Sequence, residues 1–352
     1  MIDTDSALNA WLPRLQAADW VALDTEADSL HAYPEKLCLL QVSTEGADDL
    51  IDPLSDKIDL APLWSELKGR ELIFHGADYD LRLLRKDFDY SPCSVFDTMI
   101  AARLIGCEKF GLANLVEQFL GVALEKGPQK ANWARRPLTE RMEEYARNDT
   151  KFLKTLSDLL RQELIAKGRL EWHVESCARL LRDCSKPVEP DPDAVWRIKG
   201  SPKLSRRGLG ILREVCKWRE AEALAANRPL FHIMSPKSML ALCDAISEER
   251  PHAEFIPQRF SSRRKRALND AVKRGVDAPE GELPRHIRTK GKRMTAAQKQ
   301  KVIELQAVRD ERAKELGIDP TLIASRAVMT ALAVDWDAAA ESMMKWQREL
   351  LQ

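Results

Sequence analysis

The sequence predicts an α/β domain built on a mixed sheet, followed by an all-helical remainder. Three observations carry that prediction. Up to about residue 120, short β-rich apolar runs alternate with stretches of helical spacing. From about residue 138 onward the strand signal disappears. Prolines at 187, 190 and 192 then interrupt the chain. Strands mixed with helices imply one layered α/β core, and helix after helix implies another kind of packing. A length of 352 residues exceeds one typical domain and suits two or three.

Taken in order, Trp20-Val21-Ala22-Leu23 reads as a buried strand and Leu37 to Val42 as a second. Glu71-Leu72-Ile73-Phe74 reads as a third, ended by His75-Gly76. Asp80 to Phe88 and Phe96 to Ile105 carry Leu, Ile and Ala at helical spacing. Thr139 to Gly168 reads as one or two helices, with Thr139 as N-cap. The break at Lys186 to Pro192 holds three prolines in its last six residues, which cannot continue a helix and reads as a linker. Two helical segments follow, from about Ser205 to Glu249 and from about Ser261 to Leu350. The expected segments are thus 1–185, a linker at 186–204, 205–258 and 259–352. No short-period repeat is visible; whether the two helical segments are distant copies of one module stays open.

The composition, 44% hydrophobic and 31% charged, is that of a soluble globular protein. No apolar run approaches the length that spans a bilayer. The start, Met1-Ile2-Asp3-Thr4-Asp5, is acidic where a secretory signal is basic. The expectation is a cytoplasmic protein without membrane association. Seven scattered cysteines, with no CxxC pair, argue against a disulfide framework and against a zinc site.

The net charge of zero hides an asymmetry. Residues 1–80 carry 17 Asp and Glu against 5 Lys and Arg, a net of −12, so residues 81–352 carry +12. An acidic front suits divalent cations and a basic remainder suits a polyanion. Basic clusters stand at Arg259, Arg263, Arg264, Lys265 and Arg266, and at Arg285, Arg288, Lys290, Lys292 and Arg293.

Three short motifs carry chemistry. Asp24-Thr25-Glu26 ends an apolar strand, so its two carboxylates point the same way. Like charges that close repel, and a hard divalent cation with oxygen ligands relieves the repulsion. Phe74 to Leu81 joins an apolar strand to an acid-rich helix start containing Asp78 and Asp80. Tyr145 and Asp149, four residues apart on a helix, share a face. Each motif alone has a plain reading: acids leaving a strand, acids favoured by a helix dipole, a half-exposed polar pair.

Together, Asp24, Glu26, Asp80 and Asp149, with Tyr145, form the DEDDy exonuclease pattern in order. At these residues, and at Phe96 to Leu104, Leu115 to Val122 and Asn132 to Thr139, the chain resembles the ribonuclease D family. His75 to Arg103 is also similar to the nuclear exosome exonuclease. The dense part of the resemblance covers about residues 5–180. Leu212, Trp218, Arg219, Glu220, Ala221 and Asn227-Arg228-Pro229 resemble the helical HRDC module. Arg309, Arg312, Ala313, Leu316 to Pro320 and Ser325-Arg326 resemble a second, more diverged copy.

The resemblance implies a ribonuclease H-like mixed sheet with flanking helices, then all-α HRDC-like domains. It implies two Mg²⁺ or Mn²⁺ ions about 4 Å apart. Asp24 would bridge both, Glu26 and Asp149 would complete the site of the water-activating ion, and Asp80 would help hold the second. Tyr145, whose phenol is a poor base, would orient the water. In the family motif the acid directly precedes an aliphatic residue, which selects Asp80 over Asp78. Hydrolysis would proceed from a free 3′ end and release nucleoside 5′-monophosphates. His75 and Tyr79 would border the substrate groove. Lys130, Arg135 and Arg136, with Arg263, Arg264, Lys265 and Arg266, would reach phosphates. The expected partner is RNA, with tRNA precursors or other stable RNAs as targets of 3′ trimming. A DNA exonuclease on the same fold and a non-catalytic RNA-binding scaffold are the alternatives.

Overall fold

The structure is a computed structural model that describes residues 1–125, 127–186, 196–286 and 294–352. The linker prolines 187, 190 and 192, and Arg288, Lys290, Lys292 and Arg293, lie outside the described residues.

Helix α1 (Asp5–Ala17) starts where the Thr4 hydroxyl accepts from the Ala7 amide, and it buries Leu8, Trp11, Leu12 and Leu15. Then come β1 (Val21–Ala27), β2 (Leu37–Thr44), β3 (Ala47–Ile51), α2 (Ala61–Leu67), β4 (Glu71–Phe74), α3 (Asp78–Phe88) and β5 (Ser94–Asp97). Helices α4 (Thr98–Ile105), α5 (Leu112–Leu120), α6 (Glu140–Lys151), α7 (Leu153–Ala166) and α8 (Leu170–Ser185) follow.

The sheet is mixed, as expected, in the order β3-β2-β1-β4-β5. Strand β1 is central: it pairs antiparallel with β2 and parallel with β4. The expected strands at 20–23, 37–42 and 71–74 are present. Strand β3 and helix α1 are additions. The Asp48-Asp49 pair hides β3 from a hydrophobicity pattern, and β3 is a sheet edge, where such residues stay half-exposed.

One expected element is corrected. Phe96 does not begin a helix. It lies in β5, opposite Ile73 of β4. The helix begins at Thr98, because the Asp97 carboxylate accepts from the Met99 and Ile100 amides as N-cap. Thr139 is an N-cap, accepting from the Met142 amide.

The helical part comprises α9 (Arg206–Ala226), α10 (Leu230–Ile233), α11 (Pro236–Ser247), α12 (Ser262–Asp277), α13 (Ala296–Leu316), α14 (Pro320–Ile323), α15 (Arg326–Val334), α16 (Trp336–Glu341) and α17 (Lys345–Glu349). It contains a repeat. Helices α9 and α13 each run for 21 residues and end in a left-handed residue, Asn227 and Gly317. Each is followed by a four-residue helix and then by a helix capped by a serine, Ser235 or Ser325. Arg219 donates to the Met234 carbonyl and Arg309 to the Ala324 carbonyl. Every one of these features recurs ninety residues on.

The chain divides into two compact units, residues 1–27, 36–186 and 292–352 in one, 28–35 and 187–291 in the other. Helix α12 packs along α9, so residues 259–286 group with the first helical segment and not with the last. In the first unit, Phe96, Ala101, Leu104, Leu156 and Leu160 share one buried cluster with Leu305, Ile323, Met329, Trp346 and Leu351. Arg169 reinforces it, donating to the Leu104 carbonyl at 2.6 Å and the Leu316 carbonyl at 2.7 Å.

Candidate active site

The central strand carries Asp24 and Glu26 on one face, two residues apart, beside a bulge at Glu26/Ala27. Helix α6 packs across β1, β2 and β3 and brings Asp149 to them. One carboxylate oxygen each from Asp24, Glu26 and Asp149 lie within 4.8 Å of one another. Asp80, in the first turn of α3, is buried at 6% exposure and accepts from the Thr25 hydroxyl at 2.5 Å. The structure therefore gathers three of the four sequence-predicted acids into one cluster and ties the fourth to the residue between the first two.

The electrostatics follow from burial. Asp24 is pushed well above the ordinary carboxylate range by desolvation and by Asp80, Asp149 and Glu26 around it. Glu26 is pushed up to about 9 by burial and then by Asp149 and Asp80. Asp149 is pushed up to about 7, mainly by burial. Asp80 rises to about 6, again by burial, with the Thr25 hydrogen bond holding it down. No salt bridge reaches any of the four among the described residues. Buried carboxylates without a basic partner are a donor set for a hard divalent cation, so the residues fit such an ion.

Three residues that the motif reading passed over hold this cluster. Gln41, opposite Asp24 on β2, donates to its carboxylate at 3.2 Å. Thr25 fixes Asp80. Asp97 accepts from the Gly76 and Ala77 amides at 3.1 and 2.8 Å while capping α4, and so fixes the entry to α3. A capping pattern at Phe96-Asp97-Thr98 was the available signal for the last.

Tyr145 lies one turn before Asp149 on α6, and its phenol works to hold the Asp149 carboxyl down. Burial and the nearby acids raise its phenol well above the ordinary value. The His75 Nδ1 lies 2.9 Å from the Thr98 hydroxyl, which itself donates to the Phe74 carbonyl at 3.0 Å. Nδ1 therefore carries the proton, and Nε2, with no partner among the described residues, is an acceptor. Tyr79 is exposed at 44%. Asp78 is also exposed and pairs with Arg82 at 2.9 Å.

The basic candidates differ in kind. Lys130 and Arg135 are exposed. Arg136 forms a fork on Asp52 at 2.5 and 2.6 Å and donates to the Trp133 and Cys38 carbonyls. It pins the segment before α6 to the sheet. Arg263 and Arg264 both pair with Glu222, at 2.9 and 2.8 Å, whereas Lys265 and Arg266 are exposed. Glu222 itself is buried at 6% exposure. Glu222→Gln should thus destabilise the α9–α12 pair by about 1–3 kcal/mol, the scale of charged hydrogen bonds left short of a partner. Urea unfolding followed by circular dichroism measures it; an unchanged midpoint would show the three-residue cluster to be a surface pairing only.

A 3′–5′ exonuclease family model matches residues 1–165. The ribonuclease D of Gluconacetobacter diazotrophicus is 30% identical over 99% of this chain and 89% of its own. The chain belongs to the ribonuclease D family. It is a nuclease of the 3′–5′ exonuclease type, a phosphodiester hydrolase. The crystal structure of Escherichia coli RNase D, 25% identical, superposes with a TM-score of 0.76 over 100% of this chain and 98% of that one. The catalytic core of RRP6 from Trypanosoma brucei, 27% identical, gives 0.65 over 80% of each chain. The ribonuclease D exonuclease fold and the helix-rich C-terminal part are thus common to both proteins with full coverage. Among the described residues, no helix is long and apolar enough to cross a membrane.

Proposed function

We propose that this 3′–5′ exoribonuclease trims 3′ ends of structured RNA, tRNA precursors included, with two divalent ions held by Asp24, Glu26, Asp80 and Asp149. The observation that carries the reading is the buried carboxylate cluster of Asp24, Glu26 and Asp149, with Asp80 held beside it by Thr25. The E. coli relative is described as an exoribonuclease involved in structured RNA processing, which supports the substrate class.

Mg²⁺ or Mn²⁺, when bound, supplies an activated water and charge neutralisation at the leaving oxygen. The chain's own residues do the rest. Asp24 and Glu26 present their oxygens from one strand face, and Gln41 holds Asp24 in place. Asp149 is presented from α6, with Tyr145 one turn away to orient the water by its hydroxyl. The helical segments read as two HRDC-like modules, a reading that the ninety-residue repeat supports. Seven free thiols favour a cytoplasmic setting.

Matched RNA and DNA oligonucleotides of one sequence test the reading. The RNA should be shortened from its 3′ end to nucleoside 5′-monophosphates at least about tenfold faster, the scale of one hydrogen bond to the 2′-hydroxyl. Equal rates on both, or 3′-phosphate products, would overturn it.

A further inference from the structure

A cavity of about 750 Å³ opens beside the carboxylates, lined by Asn114, Leu124, Gly127, Gln129, Tyr145 and Asp149 among others. Its wall between α5 and α6 lies directly on Tyr145. A Cβ built on Gly127 would stand 1.5 Å from the Tyr145 Cδ2 and 2.3 Å from Cε2 and Cγ. That is far inside van der Waals contact with a rigid ring, so the glycine is required for space. Gly127 is not in the left-handed region, so backbone freedom is not the reason. The buried Trp133 tilts against the same ring, with centroids 6.1 Å apart. Gln129, exposed and two residues on, lines the same cavity as Tyr145 and Asp149, and its amide works against burial in holding the phenol down.

We propose that Gly127 and Gln129 are positioning residues for Tyr145: the glycine seats the ring, and the glutamine sets where the hydroxyl proton points. A phenol has one proton. When the Gln129 amide donates to the oxygen, that proton is left for an acceptor on the other side, and Asp149 is there. The hydroxyl is then oriented before substrate arrives, which is what a water-orienting group needs. The proposal rests on Tyr145 acting in the reaction.

The test is a set of mutant cycles in the full-length protein, reading kcat and KM on single-stranded RNA. Gln129→Ala should lower kcat about tenfold, the scale of one hydrogen bond, with KM held within about twofold. That loss should vanish when Tyr145→Phe is already present, because no hydroxyl remains to orient. Gly127→Ala should lower kcat at least as much. Its loss should persist beside Tyr145→Phe, which keeps the ring, and vanish beside Tyr145→Ala, which removes it. Gln129 is exposed, so its variant probes the idea even if Gly127→Ala fails to fold. A Gln129→Ala loss of equal size in the Tyr145→Phe background, or a loss confined to KM, would overturn the proposal. If Tyr145→Phe is slow while Gln129→Ala is fully active, the tyrosine reading stands and only this inference falls. If Tyr145→Phe turns over normally, both fall.

Discussion

Stripping divalent cations with EDTA should abolish hydrolysis, by at least about 10³-fold, and added Mg²⁺ or Mn²⁺ should restore it. The reason lies in the cluster itself. Four buried or half-buried carboxylates repel one another, and three of them ionise only at about 6, 7 and 9 for Asp80, Asp149 and Glu26. Without cations Glu26 keeps its proton at neutral pH and there is no activated water. A second readout needs no activity. In the unfolded chain these carboxyls ionise near pH 4. Between about pH 4 and 9 the folded metal-free protein therefore binds more protons than the unfolded chain, and stability must fall as pH rises through that window. The thermal midpoint of metal-free protein should decrease from pH 5 to pH 9. Added Mn²⁺ should raise it most at the alkaline end, since binding displaces protons. Undiminished activity after stripping, or a midpoint that climbs with pH, would sink the metal reading.

Asp80→Asn should lower turnover by at least about 10³-fold, while Asp78→Asn should stay within about twofold of the parent. The two aspartates are two residues apart on one helix turn, yet their surroundings differ. Asp80 is buried and accepts from Thr25, beside the strand that bears Asp24 and Glu26. Asp78 is exposed, and its ion pair with Arg82 lies in solvent, where such pairs contribute little. Hydrogen bonding by Arg82 holds Asp78 below the ordinary carboxylate range, the opposite of Asp80. Asp80→Asn should also weaken the Mn²⁺-induced rise in thermal midpoint; Asp78→Asn should not. The reverse ranking would place the acid of this motif two residues earlier.

Much of this was legible in the sequence, for identifiable reasons. The runs Val21-Ala22-Leu23 of β1, Leu37 to Leu40 of β2 and Leu72-Ile73-Phe74 of β4 are apolar and buried, and a stretch buried on both faces reads as a continuous run. Strand β3 was not legible, since its Ala-Asp-Asp start carries no such run. The end of β5 was absorbed into a helix pattern because Phe96 continues the apolar spacing of α4; only the cap at Asp97 separates them. The acids were visible as motifs because their order and local context are specific. Their supports were not: Gln41 matters through a cross-strand pairing and Thr25 through a contact 55 residues away, and neither leaves a local signature. The surroundings of the basic residues were not legible either. Charge shows in a sequence, but whether a guanidinium faces solvent or a buried glutamate does not, as Arg264 and Arg136 illustrate.

The buried cluster that joins Phe96, Leu156 and Leu160 to Leu305, Trp346 and Leu351 has a consequence for synthesis. Chains emerge from the ribosome N-terminus first, so the strands and the carboxylates are exposed to the cell long before one of their supporting cores is complete. At about 5–20 residues per second, the interval between residue 164 and residue 351 lasts roughly 10–40 s. During that time α4, α5 and α7 present an apolar face with no cover from α13 to α17. A nascent chain halted anywhere in the final sixty residues is therefore a nuclease domain with part of its interior missing, and a natural client for chaperones and proteases.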